Sequence, residues 1–215
     1  YSSSYKAALL MKEADHLTHA GKTEEARKAL DEARAIYQML DDPQGKANVL
    51  RGLGYLESMV GRTGQARSAY TEARSLSQAL RDQRGEFLTL RLLGRLEYRA
   101  GRIDQARIAY MDARNLFRAA GDRAGEAVAL QGLGGLESEL GRIDQARSIY
   151  LEALRLSRAD GNALGEAHAL SALGELEAQA NPNLAHQYGS EAGFLYEQIG
   201  IQGWKKWALS GIVVR

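Results

Sequence analysis

The chain has 215 residues, with 28 Lys+Arg against 27 Asp+Glu and a formal net charge of +1. That balance disfavours a nucleic-acid binder, because neutralising phosphates calls for a clearly basic face or domain. With no cysteine, disulfides, thiolate catalysis and cysteine-ligated zinc are excluded, and a reducing cytoplasm is the expected location. No apolar run approaches the roughly 18 residues of a membrane span, so no membrane insertion is expected. The first residues, Tyr1-Ser-Ser-Ser4, lack a Met and the features of a signal peptide, which reads as a segment of a longer protein or one whose leader was removed.

Only two prolines interrupt a sequence that is 45% hydrophobic and rich in Ala, Leu, Glu and Arg, so helix is expected throughout. The stretch Gly101-Arg-Ile-Asp-Gln-Ala-Arg107 returns as Gly141-Arg-Ile-Asp-Gln-Ala-Arg147, with looser copies at Gly61 and Gly21. A fixed spacing of forty residues is the mark of a stacked repeat architecture. The first repeat, about 5–42, is degenerate and carries Leu10, Ala14, Leu17, Gly21, Ala26, Leu30 and Ala33.

The second repeat, about 43–82, opens on Asp42-Pro43, an N-cap followed by the residue favoured at the first helical position. Its helix A is expected over 43–60, with Leu50, Leu53, Leu56 and Val60 in one apolar stripe. Gly61 supplies the left-handed stop. Helix B follows over 63–79 with Ala66, Tyr70, Ala73 and Leu76 on one face, and Asp82 caps the next helix.

The third repeat (about 83–122) and the fourth (about 123–162) renew this pattern with Leu90, Leu93, Leu96, Ala106, Tyr110 and Ala113, then Leu130, Leu133, Leu136, Ala146, Tyr150 and Ala153. The fifth, about 163–200, keeps Leu170, Leu173 and Leu176, but its turn is Asn181-Pro182-Asn183 with one residue deleted. Ala185, Gly189 and Ala192 then take the helix-B positions, and a Tyr has become Gly. The tail, about 201–215, places Trp204, Trp207, Ala208 and Ile212 on one helical face and is expected to cap the stack or to contact another chain.

The pairs Leu53-Gly54, Leu93-Gly94, Leu133-Gly134 and Leu173-Gly174, the turn glycines and the Ala/Tyr/Ala sets make the chain resemble the tetratricopeptide repeat family over about residues 5–200. The forty-residue unit and the missing closing Pro resemble the longer-helix repeats of bacterial regulatory and scaffold proteins. The resemblance implies an all-α, right-handed αα-superhelix, a single solenoid of five helix-turn-helix repeats plus a C-terminal capping helix. It also implies a concave groove, lined by the A helices, that binds a segment of another protein.

Residues that repeat in register, such as Glu57, Glu97, Glu137 and Glu177 or Arg67, Arg107 and Arg147, read as interhelical ion pairs and solvated faces. Residues that vary on helix A are better candidates for recognition. Arg91, Arg95 and Arg99 share one helix face, where like charges cost a few tenths of a kcal/mol per pair. With Arg51, Tyr55 and Tyr98 they form a basic, aromatic patch suited to carboxylates or phosphates, so the expected partner is an acidic or phosphorylated protein segment. The fourth and fifth repeats lean acidic at these positions, with Glu139 and Glu175.

His16 and His19 lack a third ligand, with Asp15 expected to point elsewhere on the helix, so no metal is expected. No catalytic constellation can be assembled, and neither enzyme activity nor a cofactor is expected. The alternatives are an effector-sensing module of a larger bacterial regulator, and self-association through the first repeat or Trp204 and Trp207.

Overall fold

A computed structural model describes residues 2–200. Ten α-helices and no strand occur among them: α1 (Ser3–His19), α2 (Thr23–Met39), α3 (Pro43–Met59), α4 (Thr63–Ala79), α5 (Gln83–Arg99), α6 (Ile103–Ala119), α7 (Arg123–Glu139), α8 (Ile143–Ala159), α9 (Ala163–Glu177) and α10 (Pro182–Gln198). Helix starts advance by forty residues until Pro182, which arrives one residue early, at the deletion read from the sequence. The capping helix expected over 201–215 lies outside the described residues, as do Trp204 and Trp207. The chain divides into two compact units, the first ending at Ala109 and the second beginning at Tyr110, with the division falling inside α6.

The caps explain why the helices begin where they do. Asp42 Oδ1 accepts a hydrogen bond from the Gly45 N–H at 2.9 Å, satisfying one of the free donors of the first turn. Asp82, Asp122 and Asn162 repeat this bond to Gly85, Gly125 and Gly165. Turns within repeats close on Gly21, Gly61, Gly101 and Gly141, with φ between +72° and +80°. Because the reversal starts at Gly61, α3 ends at Met59; Val60 is its C-cap, 39% exposed, and does not extend the apolar stripe.

In the first unit α1 packs on α2, α3 on α4, and α2 and α4 each pack on the helix that follows; α3 also touches α1 and α5. The core is built from small residues and a few large ones: Ala7, Ala14, Ala26, Ala33, Leu30, Tyr37, Val49, Leu53 and Leu56. A second cluster joins Ala66, Tyr70 and Leu96, with Leu92 and Leu93 packed against it. The Leu-Gly pair has a physical role here. A Cβ on Gly54 would stand 2.5 Å from Tyr70 Cε1, so the missing side chain is the socket for the ring. Tyr70 is 1% exposed, and its burial pushes the phenol pKa far up.

In the second unit α7, α8, α9 and α10 pack in sequence, and α7 also touches α9. Gly134 and Tyr150 repeat the socket at 2.6 Å. In the last pair Gly189 stands where Tyr150 stood, and a Cβ on Gly174 would meet only Ala185 O at 3.3 Å and atoms at 3.6 Å. Ala185 and Ala192 are buried, as the shifted register requires.

Candidate interaction face of the first unit

Helix α5 carries the basic stripe. Arg91, Arg95 and Arg99 are exposed at four-residue spacing, with Tyr98 half-buried on the same side. The rest of the helix buries Phe87, Leu90, Gly94, Leu96 and Glu97. The nearest carboxylate on this helix does not serve the stripe. Glu97, 5% exposed, accepts from Arg67 Nε at 2.6 Å and Nη2 at 3.3 Å, and from Arg102 Nε. Arg91 instead lies over the Phe87 ring, 5.9 Å from its centroid, a cation–π distance.

The Glu97 arrangement recurs. Glu57 is held by Arg27 and approached by Arg62, and Glu177 by Arg147. Each pair joins helix B of one repeat to helix A of the next, thirty residues later. These buried carboxylates therefore belong to the scaffold.

Helix α3 contributes Arg51 and Tyr55, and they differ from the α5 arginines. Arg51 is partly buried and bonds the Asn48 side chain through Nη2, while its Nη1 is buried without a partner. Burial lowers its pKa, opposed by Asp82 at the α5 N-terminus. Burial also works to raise Asp82, but bonds from Gly85 N–H and Gln44, together with the Arg51 charge, hold it below the usual carboxylate value. Arg51 thus bridges toward the neighbouring cap, while Arg91 projects into solvent.

Tyr55 faces α1, where its ring meets His19 at 5.9 Å, tilted by 35°. Tyr55 on α3 and Arg95 on α5 both lie within electrostatic range of the Tyr70 hydroxyl. The structure therefore brings Tyr55 to the α5 stripe, leaves Arg51 engaged at its edge, and adds His19, which sequence reasoning treated only as a metal candidate. His19 Nδ1 lies 3.6 Å from Asp15 Oδ1, so Asp15 points toward His19, one turn away, and not elsewhere on the helix. Among the described residues no group of three or more His, Cys, Asp or Glu side chains is placed to hold a metal ion. No described helix is long and apolar enough to cross a membrane.

The equivalent face of the second unit has a different chemistry. Gln131 donates to the Gly165 carbonyl at 3.1 Å, taking a bridging position like that of Arg51. The His168 ring lies 5.9 Å from that of Tyr196, tilted by 52°, and burial lowers its pKa. Burial raises the pKa of Glu175 on the same helix.

Successive helix pairs, with glycine sockets at Gly54 and Gly134 and ion pairs between consecutive repeats within each unit, define the class of α-helical repeat proteins. The tetratricopeptide repeat profile matches residues 5–79 and 85–159. The chain belongs to the tetratricopeptide repeat family. No curated protein sequence matches it. Among solved structures, it is similar to aspartyl phosphate phosphatase F from Bacillus subtilis, with a TM-score of 0.71 at 13% identity, covering 98% of this chain and 60% of that one. It is also similar to a signal transduction ATPase with numerous domains, which has a tetratricopeptide repeat sensor, from Pyrococcus horikoshii (TM-score 0.73, 16% identity, 98% and 32% covered). A Rap protein complexed with competence and sporulation factor gives a TM-score of 0.66 at 15% identity, with 98% and 66% covered. The chain thus spans 60% and 32% of the first two relatives' lengths.

Proposed function

We propose that the chain is a non-catalytic interaction module of a bacterial cytoplasmic protein. Its first unit binds an acidic or phosphorylated segment of a partner protein. Arg91, Arg95 and Arg99 supply the charge, Tyr55 and Tyr98 supply aromatic contact, and Arg51 fixes the edge of the site. One observation carries the reading: three exposed arginines share a helix face while the adjacent Glu97 is committed to Arg67 and Arg102. Like charges so placed repel one another, and a bound anion removes that cost. The solved Rap protein complexed with a factor supports a binding role for this fold.

The test is fluorescence anisotropy of a labelled Glu-rich decapeptide and its phosphoserine counterpart, titrated with the full chain at low and high salt. A variant with Arg91→Glu, Arg95→Glu and Arg99→Glu is expected to bind at least about tenfold more weakly, which is about 1.4 kcal/mol. Equal binding by both proteins would exclude the stripe as the site. An effector-sensing role within a larger regulator is the second reading, supported by the repeat sensor of the Pyrococcus horikoshii protein. It predicts binding of a small ligand that the charge reversals leave intact.

A further inference from the structure

Beside the stripe, between α1 and α3, lies a cavity of about 640 Å³. Leu30 of α2, Met11 and Gly52 line it, Tyr55 forms a wall, and Lys12 and Asp15 are among its polar lining residues. One departure from the repeat, beside a position that is small here, opens it. At the position of Leu30 the next three repeats carry Tyr70, Tyr110 and Tyr150. The position of Gly52 is glycine again in the fourth repeat, as Gly132, whereas the third carries Leu92, which packs into the Tyr70 and Leu96 cluster. A leucine stands in place of a ring and faces a glycine, so the volume that Tyr70 and Leu92 fill one repeat later is open here. Its size falls in the range of roughly 300–1,000 Å³ that holds small ligands or anchor side chains.

We propose that this cavity receives one aromatic or branched apolar side chain of the same acidic segment, so that the site reads an apolar anchor and an anion at fixed separation. The inference rests on the proposed acidic-segment function. Tyr55 links the two features: it walls the cavity and, like Arg95, lies within electrostatic range of the Tyr70 hydroxyl. Packed helices lie about 8–10 Å apart, so the space between α1 and α3 stands roughly 12–15 Å from the α5 stripe. An extended chain covers about 3.3–3.6 Å per residue, which sets the anchor about four residues from the first acidic group. Lys12 and Asp15 carry opposite charge, so their part of the cavity lining adds no strong preference of sign.

The experiment compares two fluorescein-labelled peptides against the full chain by anisotropy. One is Glu-rich with Trp four residues before the first Glu; the other has Ser in place of that Trp. The Trp peptide is expected to bind about tenfold tighter. Gly52→Leu and, separately, Leu30→Tyr restore the residues of other repeats and should abolish that difference while leaving the Ser peptide unchanged. A Cβ at Gly52 meets only Leu30 methyl groups, at 3.0 and 3.8 Å, and these sit at the end of a flexible chain, so the first variant is expected to fold. Equal affinities for the two peptides on the unmodified protein would overturn the anchor. So would a tenfold difference that survives both substitutions with helicity intact. Failure of both peptides to bind the unmodified protein would remove the acidic-segment reading, and the anchor with it.

Discussion

The pairs α7–α8 and α9–α10 occupy adjacent repeats of one unit and solve the same packing problem differently. In the first, Gly134 is a socket filled by the Tyr150 ring, whose burial pushes its phenol pKa up to about 12. In the second there is no ring, and Gly174 faces backbone near Gly189. The glycine is present although the ring it accommodates elsewhere is not. The motif is therefore two choices, a glycine and a ring, and the last repeat holds the first without the second.

The sharpest way to break this comparison is to add one methyl to each socket. Gly134→Ala places a Cβ 2.6 Å from a buried ring and should destabilise by about 2 kcal/mol, because the overpacking outweighs the helix-propensity gain. Gly174→Ala meets looser surroundings and gains up to about 1 kcal/mol of helix propensity, so a change within about 0.5 kcal/mol is expected. Urea denaturation midpoints of the two variants decide the matter; equal losses would show that the ring is not what makes the socket tight.

A smaller difference is expected between the scaffold carboxylates. Glu97 has two arginine partners, whereas Glu177 has Arg147, because Asn181 stands at the N-cap position that Arg102 and Arg142 hold in earlier repeats. Replacing Glu97 by Ala should cost about 1–2 kcal/mol and replacing Glu177 about half as much, both reduced by the partial exposure of the arginines. Chemical denaturation of the two variants checks the order.

The smallest effect concerns acid. His168 has a lowered pKa in the folded state, so the unfolded chain takes up a proton first as pH falls below about 6.5. Its contribution is thus present above that value and lost on acidification. The raised pKa of Glu175 acts in the opposite sense, with its contribution present at lower pH and lost as pH rises through the folded value. His168→Gln should flatten the fall in the denaturation midpoint between pH 7 and pH 5.5; an unchanged slope would dismiss His168 as its source.

Much of this architecture was legible in the residues because it recurs. Asp42-Pro43 and Gly61 bracket α3 to within one residue, and Asn181-Pro182 marks the deletion. The exposed stripe of Arg91, Arg95 and Arg99 follows from four-residue spacing alone. Arg51 was harder to place, because a long side chain at that register leans toward the next helix cap, and no periodicity encodes that lean. The cavity was legible in principle through Leu30, which breaks the repeat, and Gly52, which lacks the side chain of Leu92. Each is unremarkable alone, however, and only the packing of α2 beneath α3 brings the two losses together.

The ion pair between consecutive repeats also gives the chain a direction. Arg27 is 26% exposed and can wait in water, but Glu57 is 4% exposed and is buried only against its neighbours. During synthesis the tolerant partner leaves the ribosome first, and the intolerant one arrives when the surface that neutralises it has already been made. Trimming from the two ends is correspondingly unequal. A cut that removes later repeats releases a partly solvated cation, whereas one that removes earlier repeats leaves Glu57 or Glu97 only its own turn arginine, and leaves Glu177 without Arg147.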